Sequence, residues 1–435
     1  MSGLDRRSFV AGCGSLALGT AAFAAPPKKT SKGSRATDGD DRYEPNWKER
    51  LTLTVGQKKG ELRGNSDKVI QAAIDYVAKL GGGTVKILPG KYTFRNAVHL
   101  RSNIRLLGSG PETILTKIPS TRIALSEDSD WYDQEITLSK KAGFKVGDGV
   151  VIQAGGSTVI KRTLVAASGN RFKLNKGLRK NVWLSGKPTC ASLFPLLTSE
   201  FTQNVVINNL TLDGNRKNNE NFNGNYGGNI FLQDCRRYKI LNVISRNYNG
   251  DGISFQICHD VHVEGCHSHD NADLGVHPGS GSQRPKILNC KLERNTIGLF
   301  WCWGVKHGIA QNNKMIKNRN YGISIGHNDT DNVMRHNTIT DSGKVGILFR
   351  NDARGKDFWA NRNVVENNQI INSGPAKGIA IDIQGKTHDV KIIANDIREN
   401  RAPMDRIAIR ISKNAKNIKL SDNKMNGFKQ EVVKV

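Results

Sequence analysis

A short pattern recurs along the second half of this chain: a glycine, then apolar residues at alternate positions. It stands at Gly228 (GNIFLQ), Gly252 (GISFQ), Gly275 (GVHPG), Gly298 (GLFWC), Gly322 (GISIG), Gly346 (GILFR) and Gly378 (GIAID), at intervals of 24, 23, 23, 24, 24 and 32 residues. Strand periodicity at so regular a spacing means a stacked coil, in which each repeat buries its apolar face only against its neighbours. A second series stands at Asn209, Val243, Cys266, Cys290, Asn313, Asn337, Asn368, Asn395 and Asn423. In a coil whose rungs are one strand spacing apart, about 4.8 Å, equivalent side chains pile into ladders. Asparagines are expected there as an inward turn ladder, with Cys266 and Cys290 as small buried fillers of the same ladder. No disulfide is expected among Cys190, Cys235, Cys258, Cys266, Cys290 and Cys302.

The rest of the chain is organised around that coil. "DRRSFVAGCGSLALGTAAFAA" pairs Arg6 and Arg7 with a short apolar run ending in small residues, and reads as a twin-arginine signal peptide over 1–25. Export to a bacterial periplasm or beyond follows. Cys13 precedes the apolar core, so it is no lipid-attachment site. Residues 26–64, rich in Lys, Gly, Ser and Asp, read as a linker. The segment 65–124 opens with a helix capped by Ser66 or Asp67, its apolar face Val69, Ile70, Ala73, Ile74, Val77 and Leu80, followed by the first coils. From 125 to 200 the rhythm breaks, and "GFKVGDGVVIQ" and "NRFKLNKGL" predict short antiparallel strands in an inserted lobe. The coil occupies 201–428, and 429–435 is a C-terminal tail.

Charge narrows the partners. The formal net charge is +26, and a signal peptide removes only Arg6, Arg7 and Asp5 from that balance. Such a surface favours polyanions. The basic residues are spread singly rather than in runs, which points away from nucleic acid and toward an acidic polysaccharide. No segment reaches the length of a membrane span. Self-association is left open.

Strand alternation then sorts the repeat. With Ile230, Ile253, Val276, Leu299, Ile323, Ile347 and Ile379 inward, the next column outward is Phe231, Ser254, His277, Phe300, Ser324, Leu348 and Ala380. The column after it reads Gln233, Gln256, Gly279, Cys302, Gly326, Arg350 and Asp382. His277 is expected on an exposed face, with Asp251 and Asp273 on its approach, and Gln283 and Arg284 at the far end of the bare loop after it. Two rungs on stand His327, Asn328, Asp329 and Asp331, then Arg350 and Asn351. Gln256 to Arg350 is four rung steps, about 19 Å, which suits a chain-like substrate lying along the axis. Trp301 and Trp303 would both face inward by strict alternation, so a bulge is expected to turn at least one out as a sugar-stacking platform. His259, His262, His267, His269 and His277 crowd together in sequence, but alternation sends them to different strands, so no transition-metal site is expected.

The cap helix, the Asn ladder and the rung length resemble the pectate lyase superfamily over about 65–428. That resemblance implies an all-β fold: a single-stranded right-handed parallel β-helix with an N-terminal capping helix and a small inserted β lobe. "NGDG" at 249–252, with Asp273 downstream, is similar to the paired aspartate strands of polygalacturonases, although Leu274 stands where a second aspartate belongs. His277-Pro278 is similar to the strand-face His and Pro of mannuronan epimerases and alginate lyases. The resemblance implies the mechanism class of a lyase or epimerase, and the leading expectation is a lyase or C5-epimerase acting on a uronate-containing polymer. His277 would be the base and Arg284 or Arg350 the neutralising cation. His327 with Asp329 would serve the leaving oxygen. Asp251 and Asp273 would orient His277 or hold a calcium ion, and no cofactor is required. Substrate contacts would come from Gln256, Gln283, Trp301, Trp303, Asn328, Asp329 and Asn351. Two alternatives stand: a hydrolase using Asp251 and Asp273 as its acid–base pair, and a non-catalytic glycan-binding scaffold.

Overall fold

The computed structural model describes residues 46–155, 158–402 and 405–435. The signal-peptide reading of 1–25 and the first part of the expected linker lie outside the described residues. Three long parallel sheets of thirteen, eleven and eleven strands run side by side, and successive repeats place one short strand in each. Within one repeat the chain passes from the first sheet (His262–Glu264) to the second (His267–His269) and the third (Leu274–Pro278). Each strand is bonded in register to its equivalent one rung away: Val263 to Ile287, Ser268 to Leu292, Val276 to Leu299.

The corners explain why the repeat tolerates such tight turns. A left-handed residue stands at each, and one column of them reads Asn209, Asn242, Gly265, Asn289, Asn312, His336, Asn367, Ala394 and Asp422. Asparagine, aspartate and glycine accept that backbone region at the lowest cost. Immediately after this column comes the inward ladder. Each Asn amide oxygen accepts the backbone N–H of the rung before it, from Cys290 to Asn313 (2.9 Å), Asn313 to Asn337 (3.0 Å), Asn337 to Asn368 (2.9 Å) and Asn368 to Asn395 (3.0 Å). Cys266 and Cys290 are buried, unpaired thiols in this ladder. At the ladder's start the buried residue is Leu210, and Asn209 is the left-handed residue beside it. A second ladder, Asn271–Asn295–Asn318, turns the next corner.

Two expected boundaries are corrected. Thr52–Gly56 and Leu62–Arg63, within the supposed linker, join the first sheet by pairing with Gly83–Ile87 and with each other. Gln430–Lys434, within the supposed tail, pairs with Ile407–Ile411 as the last strand of the third sheet. In both cases the end of the coil offers an unpaired strand edge, and backbone pairing satisfies it where side-chain patterning is weak. The helix Asp67–Lys79 covers the other end with Ile70, Ala73, Ile74 and Val77 buried. Its Ser66 makes no side-chain cap bond, Asp67 accepts the Arg95 N–H at 2.9 Å instead, and Leu80 is exposed. Residues 122–191 form the lobe, a six-stranded antiparallel sheet with its own core of Ile136, Val150, Ile160, Leu164 and Phe172. No helix of the described residues is long and apolar enough to cross a membrane.

Candidate functional site

The outward side of the third sheet carries the residues that alternation singled out. Register makes the first column His99, Thr198, Phe231, Ser254, His277, Phe300, Ser324, Leu348, Asp382 and Arg410. Asp382 therefore replaces Ala380 in it. The corner before Gly378 is longer than its predecessors, and Ile381, not Ile379, pairs with Ile347. Gln384 takes the place expected for Asp382 in the second column, next to Arg350.

His277 is not on an open face. It is 3 % exposed. Its Nδ1 lies 2.7 Å from Asp251 Oδ2 and 3.4 Å from Ser254 Oγ, and Phe300 meets the imidazole edge-on at 5.2 Å. Nε2 is buried without a partner. The segment between the second and third sheets closes over the Asp251 side of the pair. Gly224 accepts the Ser254 hydroxyl at 2.8 Å, and its Cα lies so close to the Asp251 carboxylate that a Cβ would sit 1.8 Å from Oδ2. Alternation gives the direction of a side chain; it says nothing of a loop folded over it. Asp251 has both oxygens engaged, Oδ1 by the Leu274 N–H at 3.1 Å. Asp273 accepts from Asn221 at 3.0 Å, and burial, reinforced by Asp251, raises its pKa.

Two glycines in the second column let long side chains lie along the axis. Gln256 lies over Gly279, where a Cβ would come within 2.1 Å of its amide, and donates to Ser254 at 3.2 Å. Arg350 lies back over Gly326 and donates to Ser324 Oγ (2.9 Å), the Trp301 carbonyl (3.0 Å) and Asp352 (3.0 Å). Its guanidinium sits 4.4 Å over the Phe300 ring, so Phe300 is flanked by His277 on one side and Arg350 on the other. In the same column, between Gln256 and Arg350, is Cys302, partly exposed, its thiol pushed up to about 12 by burial.

The tryptophans divide. Trp301 is fully buried in the coil, where Gly308 on the first-sheet side leaves room for its indole. Trp303, at φ 73°, turns outward and is 38 % exposed. His327 stacks on it at 4.8 Å and Arg354 stands 5.1 Å from its ring centre. Burial lowers the pKa of His327, and its Nδ1 lies 3.3 Å from Asp352 rather than against Asp329. Asp329, expected to act with it, is instead fully buried beneath the turn, accepts the N–H groups of Val305 (2.9 Å) and Gly326 (3.0 Å), and has a pKa raised to about 7 by burial.

Arg284 is not in this site. It stands at the corner between the third and first sheets and forks onto Asp260 at 2.7 and 2.9 Å. Gln283 beside it donates to the carbonyls of Gly281 and Gly304 and is likewise held in the corner. Asn328 is half-buried and left-handed, its N–H on the Phe358 carbonyl, while Asn351 is exposed beside Gln384. The histidines fall on three sheets, His262 on the first, His267 and His269 on the second and His277 on the third. Among the described residues no group of three or more His, Cys, Asp or Glu is placed to hold a metal ion. Arg354 and Asp352 went unforeseen because the segment after Arg350 breaks the repeat and carries no periodic signal.

A family model described as "Right handed beta helix region" matches residues 199–355. Among solved structures, the A-module of the mannuronan C-5 epimerase AlgE4 of Azotobacter vinelandii superposes with a TM-score of 0.57 at 16% identity, covering 87% of this chain and 97% of that one. The A-module of AlgE6 from the same organism gives 0.55 at 16% identity, covering 84% and 91%. PfbA, a surface adhesin of Streptococcus pneumoniae, gives 0.54 at 13% identity, covering 87% and 93%. The chain is a right-handed parallel β-helix protein. No curated protein sequence matches it. At these identities the structural likeness establishes the fold, and this β-helix is shared by epimerases and an adhesin.

Proposed function

We propose that this β-helix acts on a uronate-containing polysaccharide by removing the proton next to the carboxylate, the first step of both elimination and C5-epimerisation. The observation that carries this reading is the Asp251–His277 pair. A carboxylate 2.7 Å from Nδ1 fixes the tautomer that leaves Nε2 as the proton acceptor. The proton passes to Nε2 and the electron pair moves into the carboxylate group as an enediolate. Arg350, across Phe300 and itself paired with Asp352, is the cation assigned to stabilise that charge. In elimination the bond to the leaving oxygen then breaks; in epimerisation a proton returns to the opposite face. The reading invokes no calcium, since the guanidinium does the neutralising. It requires the face around His277 to open, because Nε2 is buried.

That enclosure also favours a second reading, glycan binding without turnover. The hydrolase alternative is the weaker, because Asp251 is fully buried and paired with His277, whereas an acid–base carboxyl pair must flank a water in the open site. The experiment is product analysis on a panel of polyuronates, with chelator and without. The absorbance of an unsaturated uronate marks a lyase, an altered uronate proton spectrum marks an epimerase, and new reducing ends alone mark a hydrolase. His277→Ala is expected to lower turnover by about 10²-fold or more while retaining polymer binding, and chelation is expected to change nothing. Binding with no product from the wild-type protein would leave the second reading standing.

A further inference from the structure

A concavity, about 390 Å³ in volume, lies between the inserted lobe and the outer face of the third sheet. Its floor is the continuation of the columns already described, with Thr198 and Phe231 from the first and Glu200 and Gln233 from the second. Thr198 is three rung steps from His277, about 14 Å along the axis. Its wall is the lobe: Lys161 and Arg162 on the long antiparallel strand, then Lys176, Arg179 and Lys180 on the loop after Leu174. Among the lining residues these five cations face a single carboxylate, Glu200.

The cations are positioned rather than scattered. Arg162 donates to the carbonyls of Lys176, Gly177 and Leu178, which fastens the loop carrying the other three to the strand. The Lys161 ammonium stands 4.1 Å over the Phe231 ring and donates to the Tyr226 carbonyl at 3.1 Å. Lys161 is open to the cleft but crowded by protein on its other sides, and burial lowers its pKa to about 8. Concentrated positive charge between low-dielectric walls is unfavourable by itself and focuses a field onto any anion that enters. The aromatic residues on the lining are packed away, Phe194 and Phe231 at 3 % and 1 % exposed. The cleft thus offers charge without the open stacking faces that single-stranded nucleic acid uses.

We propose that this cleft binds carboxylates of an acidic oligosaccharide, holding one arm of a chain whose other arm crosses the His277 rung. The inference rests on the acidic-polymer reading above and extends it to a site remote from the dyad. It makes affinity depend on chain length, because only a chain long enough to reach the lobe gains these contacts.

The test is calorimetric titration with a trimer and a nonamer of mannuronate and of galacturonate. The proteins compared are wild type, His277→Ala, and a triple variant Lys176→Gln/Arg179→Gln/Lys180→Gln whose changes are all on exposed side chains. Wild type is expected to bind the nonamer at least about tenfold more tightly than the trimer, with a steep salt dependence. The triple variant is expected to lose that advantage and flatten the salt slope, and His277→Ala is expected to keep it. Wild-type affinity of the triple variant for the nonamer overturns the proposal, as does an oligothymidylate of equal charge binding as tightly. Loss of binding in the triple variant, with no product from any polymer, upholds the cleft and removes the catalytic reading. Turnover without a length effect does the reverse.

Discussion

Lys117 sits where the coil meets the lobe, almost wholly buried, its ammonium on the Phe194 carbonyl at 3.2 Å and against the rings of Phe194 and Tyr248. Burial lowers its pKa from an ordinary 10.5 to about 7. The unfolded chain therefore holds a proton that the folded one releases between those values. The destabilisation is greatest below about pH 7 and fades as pH rises toward 10. Lys117→Met is expected to stabilise the protein by about 1–4 kcal/mol at pH 6, and by less at pH 9, in urea unfolding at the two pH values. An equal gain at both would mean that the ammonium is solvated after all. The same distinction between direction and surroundings runs through the candidate site. The sequence pointed His277 and Arg350 out of the coil, and they do leave it; of the two tryptophans, at least one of which a bulge is expected to turn out, Trp303 is the one that leaves. The sequence could not show that Gly224 closes over Asp251, because that segment lies outside the repeat; Asp260 and Arg284, by contrast, are corner residues one rung apart, and their spacing of 24 residues is the rung length itself.

At the scale of the element, the Asn ladder holds the rungs in register. Asn337 accepts from the backbone and the side chain of Asn313 at 3.0 and 2.9 Å and donates to the Ala310 carbonyl at 2.9 Å. Asn337→Ala strands all three groups in the core and is expected to cost about 2–4 kcal/mol. Cys290→Ala, in the same ladder, removes only a small weakly bonded thiol and is expected to cost about 1 kcal/mol. Chemical denaturation of the two variants measures the difference; equal losses would mean that the ladder contributes packing alone. This ladder was legible because its spacing is the rung length itself. Its first member was placed one residue early, on Asn209, since asparagine is also the residue that suits the left-handed position next to it.

At the scale of the whole molecule, the β-helix is a one-dimensional stack in which each rung is stabilised by its neighbours. Removing residues 430–435 is therefore expected to lower the unfolding midpoint measurably while leaving the far end folded, with the helix Asp67–Lys79 still docked; circular dichroism and limited proteolysis report the two ends separately. Complete unfolding on that deletion would contradict a nearest-neighbour stack. The sequence by itself determined the coil, its rung length, the inward apolar columns, the lobe's existence and the face that carries His277 and Arg350. Those follow from periodicity, which is a local property of the chain and survives in the folded state. Tertiary structure alone decided what closes over the Asp251 rung and that the lobe builds a basic cleft three rungs from the dyad. Such outcomes depend on segments without a repeat meeting residues far away in sequence, and no spacing records where they land.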